Sequence, residues 1–62
     1  MSNEAKTQLR QLARDRGYGP STTARLLRAA ENAGAAVSAA MGYKLTDFEY
    51  VALGDTMVEL FA

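Results

Sequence analysis

The chain has 62 residues, no net charge, no Cys and no His, so we expect one helical domain over residues 1–62 without disulfides or common structural zinc sites. The same absences remove the thiol nucleophile and the imidazole base, so we expect neither an enzyme nor a cofactor or metal site. The chain also shows no secretory signal and no membrane-spanning segment, which favours a cytoplasmic protein without a membrane partner.

Two parallel stripes of side chains predict a first helix at residues 3–16. The apolar stripe consists of Ala5, Leu9, Leu12 and Ala13, and the basic stripe beside it of Lys6, Arg10 and Arg14. Residues four apart share a helix face, which is why each set lines up. Gly17 is expected to end the helix in the left-handed conformation, with Tyr18 folding back onto the last turn.

A second helix is predicted at residues 21–41, starting near Ser21 or Thr22 because Gly19-Pro20 cannot continue the first. Its expected buried side consists of Leu26, Ala30, Ala33, Val37 and Met41. Gly34 leaves three outcomes open, since a mid-helix Gly costs only about 1 kcal/mol relative to Ala. The helix can be continuous, kinked or broken there, and we favour a continuous one.

A second Gly-Tyr pair, Gly42-Tyr43, lies 25 residues after the first and predicts a second corner of similar shape. Its neighbours fit the buried positions of a helix–turn–helix corner. These neighbours are Val37, Ser38, Met41, Tyr43, Phe48 and Val51. The second corner is therefore expected to contribute to the core.

A third helix is predicted at residues 46–61, where Thr46 and Glu49 have the spacing of a capping box. It is apolar over most of its circumference, which indicates a central position or a second surface covered by a partner. Because so small a domain forms only a marginal core, a homo-oligomer is expected. The candidate interface residues are Tyr50, Leu53, Met57, Leu60 and Phe61. The predicted fold class is an all-α, three-helix domain with helix-turn-helix-like corners.

The charges are divided between the two halves of the chain. Residues 1–30 carry six Lys and Arg against two acidic residues, a balance of +4, and residues 31–62 carry one against five, a balance of −4. This asymmetry indicates a basic surface for an anionic partner. The alternative is that the two halves neutralise each other in the folded domain.

Residues 12–28 resemble the helix-turn-helix of bacterial DNA-binding proteins. Ala13 lies four residues before the turn glycine Gly17, Tyr18 follows it, and Leu26 lies nine beyond it. Two positions depart from the family pattern, since Arg16 and Thr23 stand where apolar residues are usual. The resemblance implies that the second helix reads the major groove of duplex DNA while the first contacts phosphates. The implied reading residues are Ser21, Thr22, Arg25 and Arg28, and the implied phosphate contacts are Lys6, Arg10 and Arg14.

Two classes of function therefore remain open. The first is a small regulatory protein that binds duplex DNA through its N-terminal half and self-associates through its C-terminal helix. The second is a protein interaction module or adaptor that binds no nucleic acid. Gly17-Tyr18 followed by Leu26-Leu27 is also similar to the first loop of the ubiquitin-associated domain, a three-helix bundle, which belongs to the second class.

Overall fold

The computed structural model describes residues 1–61 and confirms the all-α, three-helix prediction. The helices are α1 (Asn3–Asp15), α2 (Pro20–Met41) and α3 (Asp47–Leu60). α2 begins one residue before the predicted start near Ser21 or Thr22. Gly19 is the N-cap and Pro20 the first helical residue, because the fixed φ of Pro suits that position and its missing N–H needs no partner there.

The two shorter helices run in the same direction, opposite to α2. At one end of the molecule, the Ser2 hydroxyl before α1 donates a hydrogen bond to Asp47 of α3 at 2.6 Å. At the other end, the rings of Tyr18 after α1 and Phe61 after α3 stack with centroids 6.2 Å apart. The longest dimension of the molecule, 35 Å, is close to the length of a 22-residue helix, about 33 Å.

The core is small. Six hydrophobic residues are buried among residues 1–61: Ala5, Leu9, Ala13, Leu26, Ala30 and Val58. Three of the six are Ala, and only Leu9 and Leu26 are large and completely inaccessible to solvent. The helices therefore approach closely but bury little apolar volume, in keeping with the marginal core expected of so short a chain.

Two glycines allow the closest contacts between helices. Helix α2 is continuous through Gly34, which is buried where the Tyr50 ring of α3 lies against the backbone of α2. Gly54 of α3 is buried in the same way against the side chain of Leu9 in α1. The favoured prediction of a continuous α2 is confirmed, and the Tyr50 ring occupies the space that a side chain at position 34 would need.

The two Gly-Tyr corners turn the chain with the predicted left-handed glycines, at φ 74° for Gly17 and 79° for Gly42. Their hydrogen bonds differ. After α1, Gly17 N–H donates to Arg14 and Tyr18 N–H to Ala13, which is the Schellman pattern. After α2, Gly42 N–H donates to Ser38. Each corner thus reverses the chain with its own hydrogen-bond pattern.

The second corner is more exposed than predicted, and α3 is not buried on most sides. Met41, Tyr43 and Phe48, all expected in the core, are 64%, 46% and 81% exposed. The buried residues of α3 are Gly54 and Val58 alone. The physical reason is that a helix in a three-helix bundle meets its two neighbours over only part of its circumference. Nothing within residues 1–61 covers the outer side of α3.

Candidate nucleic-acid interface

The basic residues of α1 lie along α2. Arg10 and Arg14 border a groove whose other lining residues include Thr23, Ala24 and Leu27 of α2. Both arginines are exposed, because the opposite side of α1 carries its buried residues. This groove therefore has a basic wall on α1 and an uncharged wall on α2.

A second groove continues from the first and is bordered by basic residues of both helices. Lys6 and Arg10 border it from α1, and Arg28 borders it from α2. Glu31 is the acidic residue in its lining. Three cations against one carboxylate leave this groove with a positive balance. Arg10 belongs to both grooves, so the two form one connected surface.

Arg28 also borders a third groove, together with Arg25, Asn32 and Phe61. The Arg25 guanidinium lies over the Phe61 ring, 5.5 Å from its centroid. Such a cation–π contact is worth about 0.5–1 kcal/mol at an exposed site, enough to favour one orientation of the guanidinium. Arg25 therefore lies on the α3 side of α2, and Arg28 connects it to the cations of α1.

Three of the four carboxylates of α3 contact groups other than these cations. Asp55 and Arg16 form the one ion pair within 4 Å in the described part of the chain, at a distance of 3.7 Å. Asp47 accepts a hydrogen bond from Ser2, and Glu49 accepts from Thr46 within the predicted capping box. Among residues 1–61, six cations thus have no ion-pair partner, and we call the five of them on α1 and α2 the basic face. The basic face consists of Lys6, Arg10, Arg14, Arg25 and Arg28.

The structure separates the predicted reading residues. Ser21 is exposed and Thr22 half-buried, and neither lines any of the three grooves. Thr23 and Leu27 line the groove beside the α1 cations instead. The helix-turn-helix resemblance did not assign these two residues to the reading surface. Their spacing of four residues was the available signal, since it places both on one side of α2.

The arrangement of α1 and α2 departs from a helix-turn-helix in one respect. Arg14 shares a groove with Pro20 at the start of α2, while Met1 and Ser2 share one with Ala35 and other residues near its end. α1 thus lies alongside α2 in the opposite direction. Helix-turn-helix motifs cross at about 90–120° instead. The resemblance of residues 12–28 remains a hypothesis, and the cations of α1 flank α2 along its length.

The predicted interface residues do not share one surface. Met57 and Phe61 pack against the core cluster of Ala13, Leu26 and Val58, and Tyr50 packs against Gly34. Leu53 is half-buried, and Leu60 is 76% exposed. Phe48, the most exposed large hydrophobic residue, was missed because the corner template assigned it to the core.

Neither a membrane span nor a metal cluster is found in the part of the chain that the structure describes. Its helices are too short or too polar to cross a bilayer. Its acidic residues nowhere gather in a group of three that could hold a metal ion. The basic face and the exposed side of α3 are therefore the two surfaces with distinctive chemistry.

No protein-family model matches this chain, and no curated protein or solved structure is significantly similar to it.

Proposed function

We propose that this protein binds duplex DNA through its basic face. The observation that carries the proposal is the absence of ion-pair partners for the five cations among residues 1–61, although the chain as a whole is neutral. Within residues 1–61 the carboxylates of α3 form no ion pair with these five cations, and three of the four contact Ser2, Thr46 and Arg16 instead. Cations held on one connected surface replace the counterions of a phosphate backbone, which is the main source of affinity in such complexes.

The two helices have different tasks in this proposal. Lys6, Arg10 and Arg14 follow one another at steps of about 6 Å along α1, so they contact successive points of the phosphate backbone. Arg25 and Arg28 of α2 present guanidinium groups, which pair in bidentate fashion with guanine in the major groove. Phe61 favours one orientation of Arg25, which reduces the entropy lost when that guanidinium binds.

The proposal includes self-association through the exposed side of α3. Phe48 and Leu60 are the two most exposed large hydrophobic side chains in the described part of the chain. A second copy covering them removes apolar surface from water and supplements a core with few large side chains. A regulatory protein that binds DNA and associates with itself is the function that these two surfaces support together.

Fluorescence anisotropy with a labelled duplex over a series of salt concentrations tests DNA binding. We expect the affinity to fall steeply as salt rises, and each phosphate-contacting cation replaced by Ala to reduce the slope of log K against log salt by about 1. Arg10→Ala tests a phosphate contact through this slope, and Arg28→Ala tests a base contact, whose loss is expected to cost about 1–3 kcal/mol of affinity. Arg16→Ala and Lys44→Ala are matched controls, because Arg16 pairs with Asp55 and Lys44 lies in the corner between α2 and α3.

A lack of binding at low salt contradicts the proposal, and so does an equal loss of affinity in all four variants.

The second candidate function, a protein interaction module, is favoured by an apolar groove at the corner between α2 and α3. The groove is lined by Val37, Tyr43, Leu45, Phe48, Glu49, Ala52, Leu53 and Thr56. For that function the DNA titration is flat, and Phe48 rather than Arg28 determines complex formation.

A further inference from the structure

One stripe of four exposed residues runs along the outer side of α3 at a spacing of four. The stripe consists of Phe48, Ala52, Thr56 and Leu60. Thr56 is less polar than its type suggests, because its hydroxyl already donates a hydrogen bond to the carbonyl of Ala52 at 3.1 Å. The stripe thus presents large apolar side chains at its two ends and small ones between them. We call it the outer stripe.

The outer stripe has an acidic border. Glu49 and Glu59 adjoin its two ends, and α3 contains no Lys or Arg from Asp47 to Leu60. Two copies that met symmetrically through this stripe would bring four of these carboxylates together without an opposing cation on either helix. Like charges facing each other across an interface cost several kcal/mol, which disfavours a symmetric pair of α3 helices.

The groove between α1 and α2 has the complementary chemistry. Ala24 and Leu27 give it an apolar lining, and Arg10 and Arg14 give it a basic border. The dimensions also correspond, since Lys6 and Arg14 lie about 12 Å apart along α1. Glu49 and Glu59 lie about 15 Å apart along α3 by the same measure. Each copy therefore carries both an acidic, apolar ridge and a basic, partly apolar groove.

We propose that the outer stripe of one copy docks into the α1–α2 groove of a second copy, head to tail. A second copy is the occupant because the same chain carries both surfaces with opposite charge. The interface is heterologous, so association continues into rings or chains rather than stopping at a symmetric dimer. The proposal rests on the self-association included in the proposed function and names its partner surface. Because Arg10 lies in the groove, DNA and a second copy compete for the basic face.

Sedimentation velocity of two charge-reversed variants, alone and mixed, tests the docking in the absence of DNA. Glu59→Lys alters the stripe, and Arg10→Glu alters the groove. We expect each variant alone to associate about tenfold more weakly than wild type, the equivalent of about 1.4 kcal/mol. Their equimolar mixture is expected to associate about as tightly as wild type, for two reasons. The unaltered stripe of Arg10→Glu meets the unaltered groove of Glu59→Lys, and at the alternate contact the introduced lysine faces the introduced glutamate. Circular dichroism verifies that both variants fold.

Four results overturn the docking: no self-association of wild type, an unchanged affinity in both variants, no recovery of affinity in their mixture, or stronger association of Glu59→Lys alone. The last is the result for a symmetric pair of α3 helices, where removing a carboxylate relieves repulsion. DNA titrations of the same proteins separate this proposal from the proposed function. Rescue in the mixture without any DNA binding supports the docking and contradicts the function. DNA binding by wild type with no rescue does the reverse.

Discussion

At Gly34, a single missing side chain determines how α2 and α3 meet. A Cβ atom there would overlap Cε1 of the Tyr50 ring and lie 2.9 Å from Cδ1. We expect Gly34→Ala to lower the free energy of unfolding by roughly 1–2 kcal/mol. Overpacking costs about 1–3 kcal/mol, and the better helix propensity of Ala returns about 1 kcal/mol. Urea denaturation measures the difference.

A double-mutant cycle with Tyr50→Ala isolates the contact from the propensity. In that background the ring is absent, so Gly34→Ala is expected to stabilise the protein by up to about 1 kcal/mol. The sign of the Gly34 effect thus reverses with the residue at position 50. Equal effects in the two backgrounds would mean that the ring does not restrict this site.

Gly54 makes the corresponding contact with α1, and its substitution is expected to cost more. A Cβ atom there would overlap Cδ2 of Leu9, a side chain that is completely buried and cannot move towards solvent. Tyr50 is only half-buried and can turn outward. We expect Gly54→Ala to destabilise by roughly 2 kcal/mol, because an overpacking cost of about 3 kcal/mol is offset by about 1 kcal/mol of better helix propensity. A smaller loss than for Gly34→Ala would contradict this reasoning.

The role of these two glycines illustrates what the sequence leaves undetermined at the scale of a residue. Helical spacing predicted that Leu26 and Ala30 are buried, because periodicity depends only on neighbours along one helix. The close packing at Gly34 depends on Tyr50, which is 16 residues away in the chain and belongs to another helix. No local pattern identifies which side chain will face a mid-helix glycine.

At the scale of an element, the three helices differ in how their first turn is capped. Thr46 accepts a hydrogen bond from Glu49 N–H at 3.3 Å, and Ser2 accepts one from Ala5 N–H at 3.1 Å. Gly19, the N-cap of α2, offers no side chain, although its backbone is extended and the space around it is open. Capping signals predicted the start of α3 correctly, whereas Pro20 overrode Ser21 at α2.

This difference predicts opposite effects of two substitutions. Gly19→Ser adds a hydroxyl that can accept from the free N–H groups of α2, so we expect a gain of a few tenths, up to about 0.5 kcal/mol. Thr46→Ala removes such an acceptor and is expected to cost about 1 kcal/mol. Thermal unfolding of the two variants beside wild type measures both. Destabilisation by Gly19→Ser would show that the N-cap site tolerates no side chain.

The capping box of α3 also makes stability depend on pH. The pKa of Glu49 is lowered, chiefly because Thr46 N–H and then its hydroxyl donate to the carboxylate. A carboxylate with a lowered folded-state pKa contributes stability above its unfolded pKa, and this contribution is lost as pH falls through the folded pKa. We therefore expect stability to decrease below about pH 4.3, the ordinary value for Glu.

Glu49→Gln provides the control, because an amide keeps an acceptor for the cap but does not titrate. Its stability is expected to change less than that of wild type as the pH falls through the acid range. If the stability of Glu49→Gln falls in acid as much as that of wild type, the capping box is not the source of the acid dependence.

Tyr43 makes stability depend on pH in the alkaline range. Its pKa is raised, first by its hydrogen bond to Glu49 and then by the charge of that carboxylate. The contribution of Tyr43 to stability is present below the ordinary tyrosine pKa and is lost as pH rises through the folded value.

At the scale of the whole molecule, the charge asymmetry of the chain becomes an asymmetry of surface. The sequence established which cations exist and that Lys6, Arg10 and Arg14 share one side of α1. It did not establish that Arg28 faces them across a groove, or that Arg16 alone pairs with α3 among residues 1–61. Those facts depend on how α1 lies against α2, which Gly54 and Leu9 help to set through α3.

The marginal core gives a last prediction, that thermal stability depends on protein concentration. Only three buried hydrophobic residues are larger than Ala, while Phe48 and Leu60 are largely exposed. Association of folded copies through these side chains adds free energy by mass action, up to about 2.7 kcal/mol for a hundredfold excess over the dissociation constant. For a domain of this size that corresponds to a rise in Tm on the order of 10 °C.

Calorimetry over a hundredfold range of concentration measures this effect, with Leu60→Gln as the control. Leu60 contributes little to the monomer, because it is 76% exposed. The variant is therefore expected to unfold like dilute wild type at every concentration. If the Tm of wild type is constant over the range, the folded monomer is stable on its own core, and the exposed side of α3 has no second copy to cover it. If Leu60→Gln lowers Tm equally at all concentrations, Leu60 supports the fold within one chain instead.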